Sequence, residues 1–335
     1  MGEPGSLLSR RWLTVVCVLL SAHFAIAYST LTTPMVTLSD DLASVRGPFA
    51  YRMLPTMLWE VTVFLLRPFH HALPKLHMPS LNRPFTSDRD WYLVLLTFAC
   101  MLGTLTVARR LLRAIDGRWG FEWMALGMGY MAYFDSMLVL NRNLSYPYDL
   151  TALFLFTVLV YLAYRDRPVA FTLMLAVAMV NKETASAAIL IYFGLQFGRR
   201  PLGRLVTLCA AMTALVVAIR TAQRLYLSHA TAMVQDMSQN QLRENLLQMR
   251  NPLFWVSEVS IFGFAWIAAV AFWRYVPARV RVMSATVFLL WFFAMTVAGV
   301  LREVRIFSEL SALLLLVVGL GVYGWLEQRS PREAV

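Results

Sequence analysis

The sequence predicts an all-α, polytopic helical membrane protein of about ten spans, with a large first extracytoplasmic loop carrying an interfacial helix. Three observations lead there. Of the 335 residues, 59% are hydrophobic and 15% charged, against about 25% charged in a soluble globular domain. The apolar residues form several long continuous runs rather than the alternating segments of a β-barrel. The arginines gather in short clusters between runs, as topology signals do. That placement also accounts for the net charge of +11 without a nucleic-acid partner.

The first span covers about Trp12–Thr30. Its basic start and Ala25-Ile26-Ala27 ending also fit a cleavable signal peptide; because more spans follow, an uncleaved helix is expected. Trp91–Ala108, Trp119–Leu140 and Leu150–Tyr164 come next. Two short runs, Pro168–Val180 and Ala185–Phe197, flank "NKET". Leu205–Ile219, Phe254–Trp273, Val282–Leu301 and Ile306–Trp325 complete ten. Counted this way, Arg10/Arg11, Arg109–Arg118, Arg165/Arg167, Arg199–Arg204, Arg274–Arg281 and Arg329/Arg332 all fall on one side. That side is expected to be cytoplasmic, with both termini there. The chain then reads as a single integral membrane domain, 1–335, with extracytoplasmic loops at 31–90 and 227–252. The cysteines Cys17, Cys100 and Cys209 each lie within an apolar run and read as packing residues.

Only two lysines occur, Lys75 and Lys182. Lys182 stands with Asn181 and Glu183 between the two short runs. At about 1.5 Å per residue each run spans roughly 20 Å, short of a ~30 Å hydrocarbon core. The corner between them is therefore expected at the floor of an outward cavity, with Lys182 held near Glu183. Charge is tolerated at that depth where it lines water or packs within protein.

Other polar groups fall on the same side. Asp40 and Asp41 follow the first span: adjacent carboxylates suit a divalent cation, Mg or Mn, or a general base, and equally a helix N-cap. Leu54, Met57, Leu58, Val61, Phe64 and Leu65 have helical spacing and read as an interfacial amphipathic helix. Arg52 at its start either holds a phosphate or snorkels to headgroups. In "NRNLSYPYDL", Arg142, Tyr148 and Asp149 sit with amides and a second tyrosine, suited to a sugar or phosphate edge or to interface anchoring and capping. Arg220 and Arg224 share a helix face. In "LREVRIFSEL", Arg302, Glu303, Arg305 and Glu309 interrupt two apolar runs, the first three as ligands or all as neutralising Arg–Glu pairing.

Cations and acids converging at a membrane surface suit an anionic, lipid-linked substrate. The cations would hold its phosphate while an acid accepts a proton from the attacking hydroxyl. The "SDD" acidic motif after the first span, the "YRMLPTMLWEVTVFLL" helix, the "NKET" break, "YPYD" and "REVRIFSEL" together resemble the GT-C class of membrane glycosyltransferases, over most of the chain in topology. The resemblance implies transfer of a sugar from a polyprenyl-phosphate donor to a glycan, lipid or protein acceptor at the extracytoplasmic face of a bacterial inner membrane. It assigns Asp40 or Asp41 as base or metal ligand, and Lys182, Arg302 and Arg305 to the carrier phosphate. The class often has an outward C-terminal domain, absent here, so a compact variant or a subunit with a membrane-protein partner is expected. A transporter or flippase for an anionic lipid or sugar is the alternative. The lack of an inverted repeat and the one-sided polar groups weigh against it.

Overall fold

The structure is a computed structural model. It describes residues 4–34, 52–66, 88–138, 144–146, 148–226, 241–301 and 303–329. These are almost entirely helical. The helices are α1 (Pro4–Leu31), α2 (Leu54–Leu66), α3 (Asp88–Ile115), α4 (Leu126–Tyr133), α5 (Asp149–Tyr164), α6 (Pro168–Asn181), α7 (Ala188–Gln196), α8 (Leu202–Tyr226), α9 (241–248), α10 (Pro252–Val259), α11 (Trp266–Phe272), α12 (Ala278–Ala298) and α13 (Ser311–Arg329). Tighter 3-10 turns lead into α4 at Trp119–Ala125, into α7 at Glu183–Ala187 and into α13 at Val304–Leu310. Among the described residues, two short strands, Thr33–Pro34 and Leu144–Ser145, pair in parallel.

Among the described residues, five stretches are long and apolar enough to cross a membrane: Ser9–Leu31, Trp91–Ile115, Leu202–Tyr226, Ala278–Ala298 and Val304–Arg329. The helices Asp149–Tyr164 and Pro168–Asn181 are apolar but shorter. Two further stretches expected to be single spans are not uniform α-helix. One passes from 3-10 to α to a π-helical turn at Phe134–Leu138; the other is split by a kink at Ile261–Phe264. Length and composition therefore qualify five spans among the described residues. Leu19, Leu173, Val282, Leu289 and Phe293 all point outward at more than 60% exposure. Apolar faces of this extent are supported by lipid and are an aggregation liability in water.

The core follows from which helices are enclosed. The last span is 72% buried along its apolar window, while α8 is 11% buried. Around α13 pack α3, α4, α5 and α11. Helices α1 and α5 flank α3, α6 and α7 flank α5, and α8 leans on α6 and α7 from outside. Where α7 crosses α12, Gly194 allows the approach: a Cβ there would lie 2.1 Å from Met283 Cγ.

The kink has a distinct backbone. Phe262, Gly263 and Phe264 have φ of 60°, 58° and 65°, a left-handed run that side chains other than glycine adopt at a cost. A Cβ on Gly263 would sit 2.6 Å from the Tyr130 ring, whose hydroxyl donates to the Gly263 carbonyl at 2.8 Å. Gly263→Ala is therefore expected to destabilise the protein by about 2 kcal/mol, from left-handed strain plus overpacking. Thermal unfolding in detergent measures this, and an unchanged midpoint would contradict the kink.

Candidate functional site

The two ends of the bundle carry different chemistry. Arg10 and Tyr28 lie 18 residues apart on α1, about 27 Å along its axis. At the Arg10 end, the fully buried Glu122 is held by three arginines. Arg113 Nη2 is 2.7 Å away, Arg109 Nη2 3.3 Å and Arg10 Nε 3.4 Å. Between α5 and α6, Asp166 forms a two-pronged pair with Arg200 and accepts from the Tyr192 hydroxyl. Several arginines read as topology signals thus also have acids as partners.

The Tyr28 end holds the second network, and local geometry explains its assembly. The strand pairing ties the end of α1 to the segment before α5. The Tyr146 N–H donates to the Tyr28 hydroxyl at 3.3 Å. On α5, Tyr148 occupies the cap position without a side-chain cap bond. Asp149 follows in the first turn, where a carboxylate complements the helix dipole. Its side chain does not cap the helix. It accepts from Arg305 Nη1 at 3.1 Å and faces Lys182 Nζ at 3.6 Å.

Lys182 adopts an extended backbone, φ −159° and ψ 135°, which ends α6 before the next 3-10 turn. The turn places its ammonium 2.7 Å from Glu309 Oε1, and Thr184 donates to Glu309 Oε2 at 2.7 Å. Asn181 donates to the Tyr148 carbonyl at 3.1 Å. Lys182 is 6% exposed, Asp149 7% and Glu309 1%, so the ammonium is compensated from both sides, as a buried charge requires.

Arg52 reaches this end because the Met53 N–H donates to the Val180 carbonyl at 3.1 Å, joining the start of α2 to the end of α6. Its guanidinium lies 4.3 Å over the Tyr148 ring and 3.4 Å from Glu183 Oε1. Arg305 lies 3.6 Å over the Tyr146 ring and also pairs with Glu303. Tyr146 and Tyr148 stand 5.3 Å apart, so two neighbouring tyrosines each present a face to an arginine. Burial works to raise the Glu183 carboxyl. Arg52 beside it, a hydrogen bond from its own backbone, and the charges of Arg220 and Lys182 outweigh that and hold it below the ordinary glutamate range.

The expected residues Arg52, Tyr148, Asp149, Lys182, Glu183, Glu303 and Arg305 therefore lie together at one end. Asp40, Asp41, Arg142 and Arg302 lie outside the described residues. One expected pairing is corrected: Lys182 turns to Asp149 and Glu309 while Glu183 turns to Arg52, because the 3-10 turn sends successive side chains to different neighbours. Sequence reasoning did not select Glu309, Thr184 or Tyr146 as site residues. The signal for Glu309 was a lone acid in an apolar run, which is costly unless paired. Helix α2 exposes Met57, Leu58 and Val61 and buries Pro55 and Thr56, with the Tyr92 hydroxyl donating to the Pro55 carbonyl at 2.7 Å.

Among the described residues, no group of three or more His, Cys, Asp and Glu side chains is arranged to hold a metal ion. The chain matches no family model, no curated protein and no solved structure.

Proposed function

We propose that this protein is a membrane glycosyltransferase of GT-C-like design, moving a sugar from a lipid-phosphate carrier to a glycan, lipid or protein acceptor. The observation that carries this reading is the convergence of Arg52, Lys182 and Arg305 at one end of an apolar bundle. Each is held by a carboxylate, and the two arginines lie over tyrosine rings. In this reading the carrier phosphate takes positions that the carboxylates hold in the structure. The Arg52–Glu183 contact is the one a phosphate would displace, since Glu183 is partly exposed and Arg52 adjoins the interfacial helix along which a lipid carrier would arrive.

In this reading the chain crosses a bacterial inner membrane about ten times. The Glu122 end is cytoplasmic, as the arginine clusters favour, and the Lys182 end is extracytoplasmic. Asp40 or Asp41 accepts the proton of the attacking hydroxyl, or would hold a Mg or Mn ion. The carrier phosphate leaves with the electrons of the broken glycosidic bond, stabilised by Arg52, Lys182 and Arg305; Arg142 and Arg302 are assigned to the same substrate on sequence grounds alone. A transporter for an anionic lipid is the second reading, favoured by the two helix interruptions at Phe134–Leu138 and Ile261–Phe264, since transporters bind at broken helices.

The test is transfer from a panel of radiolabelled polyprenyl-phosphate sugars by purified protein in vesicles. Wild type is expected to transfer one of them. Asp40→Asn or Asp41→Asn should abolish that transfer, and Arg52→Gln should lower it about ten- to a hundredfold by loss of charge-assisted hydrogen bonds. Folded wild type that transfers none of the sugars, yet moves a labelled lipid phosphate across the vesicle, would replace this reading with the second.

A further inference from the structure

A second polar feature lies where a π-helical turn meets the kink at Ile261–Phe264. Asp135 sits in the π-helical turn Phe134–Leu138 and is 3% exposed. Its Oδ1 accepts from the Phe262 N–H at 2.8 Å, so it fastens the π turn to the left-handed kink. Its Oδ2 is buried and has no hydrogen-bond partner among the described residues. Single π turns concentrate at functional sites, and so do runs of strained backbone.

The groups that face Asp135 from the packed elements are otherwise engaged. On α4, the Tyr130 hydroxyl donates to Gly263 and Tyr133 stacks with His23 of α1. On α1, Tyr28 is bonded to Tyr146, and Arg10 and Arg11 lie at the opposite end. Ile261–Phe264 has no charged or titratable side chain. In Val304–Leu310, Arg305 pairs with Asp149 and Glu303, and Glu309 with Lys182. None of these recorded bonds reaches Asp135 Oδ2. A charged carboxylate held this way would be buried without a counter-charge, and a proton is the smallest partner that removes the penalty.

We propose that Asp135 is a proton-binding site built into the junction of the two helix breaks. The segment Val304–Leu310, which carries Arg305 and Glu309, packs on both breaks. Binding or losing the proton changes what Asp135 offers the Phe262 N–H and hence the seat of that segment. The site thus gives the charged network a sensor of proton concentration, whatever substrate that network takes.

Infrared spectroscopy of the full chain in lipid tests this through the carbonyl stretch of a protonated carboxylic acid, with aspartate carbonyls labelled by carbon-13. At neutral pH the wild type should show an isotope-shifted protonated-carboxyl band that disappears as the pH rises. Asp135→Asn, which keeps an acceptor for Phe262, should lose it. Glu258→Gln should retain it; Glu258 is another buried acid with unpartnered oxygens but is not an aspartate. A wild type without a labelled protonated band at neutral pH would overturn the proposal without any variant needing to fold. So would a band that survives in Asp135→Asn.

Discussion

Lys182→Met is expected to destabilise the protein by about 3–5 kcal/mol, the range for breaking a buried ion pair by removing one partner. The substitution keeps the volume of the side chain while deleting the charge. Among the described residues, Glu309, 1% exposed, would then keep only the Thr184 hydroxyl, and Asp149 only Arg305. A buried carboxylate left in that state costs more than the pair contributed. The control is Lys182→Met combined with Glu309→Gln, which removes the stranded charge and should recover much of the loss. Thermal or denaturant unfolding in detergent reads both. A single variant as stable as wild type would mean that Lys182 does not lie between those carboxylates.

Glu122→Ala is the second large effect, expected at about 3 kcal/mol. The lower end of the buried-pair range applies because Arg113 and Arg10 are 48% and 36% exposed and can turn to water, whereas Arg109 at 14% cannot do so freely. Without the carboxylate, three guanidiniums from α1 and α3 face one another where α1, α3 and the Trp119–Ala125 turn meet. Salt should narrow the difference between wild type and variant, since screening relieves the repulsion. An equal loss at low and high salt would assign the effect to lost packing instead.

How much of this was legible in the chain can be argued residue by residue. The long apolar runs predicted helices that are present, because apolar continuity and helix length are local properties. The break at "NKET" was legible because three polar side chains in an apolar stretch must be satisfied somewhere. The interruptions at Phe134–Leu138 and Ile261–Phe264 were not. Asp135 stands alone among apolar neighbours, and nothing local marks Phe262 or Phe264 as left-handed, since both depend on a bond from one broken helix to the other. Glu122 was illegible as a partner for the same reason: its arginines lie 9, 13 and 112 residues away.

The sequence by itself determined that the chain is apolar, helical and rich in arginine between runs, and that Arg52, Tyr148, Asp149, Lys182, Glu183, Glu303 and Arg305 interrupt apolar stretches. Composition and spacing suffice for that, because burying unpaired charge is costly in any fold. The tertiary structure alone decided the partners: Lys182 with Asp149 and Glu309, Glu183 with Arg52, Glu122 with three arginines. Ion pairs form across 3–4 Å between helices far apart in sequence, so their identity depends on helix rotation and on where a 3-10 turn points each side chain, which no local pattern encodes.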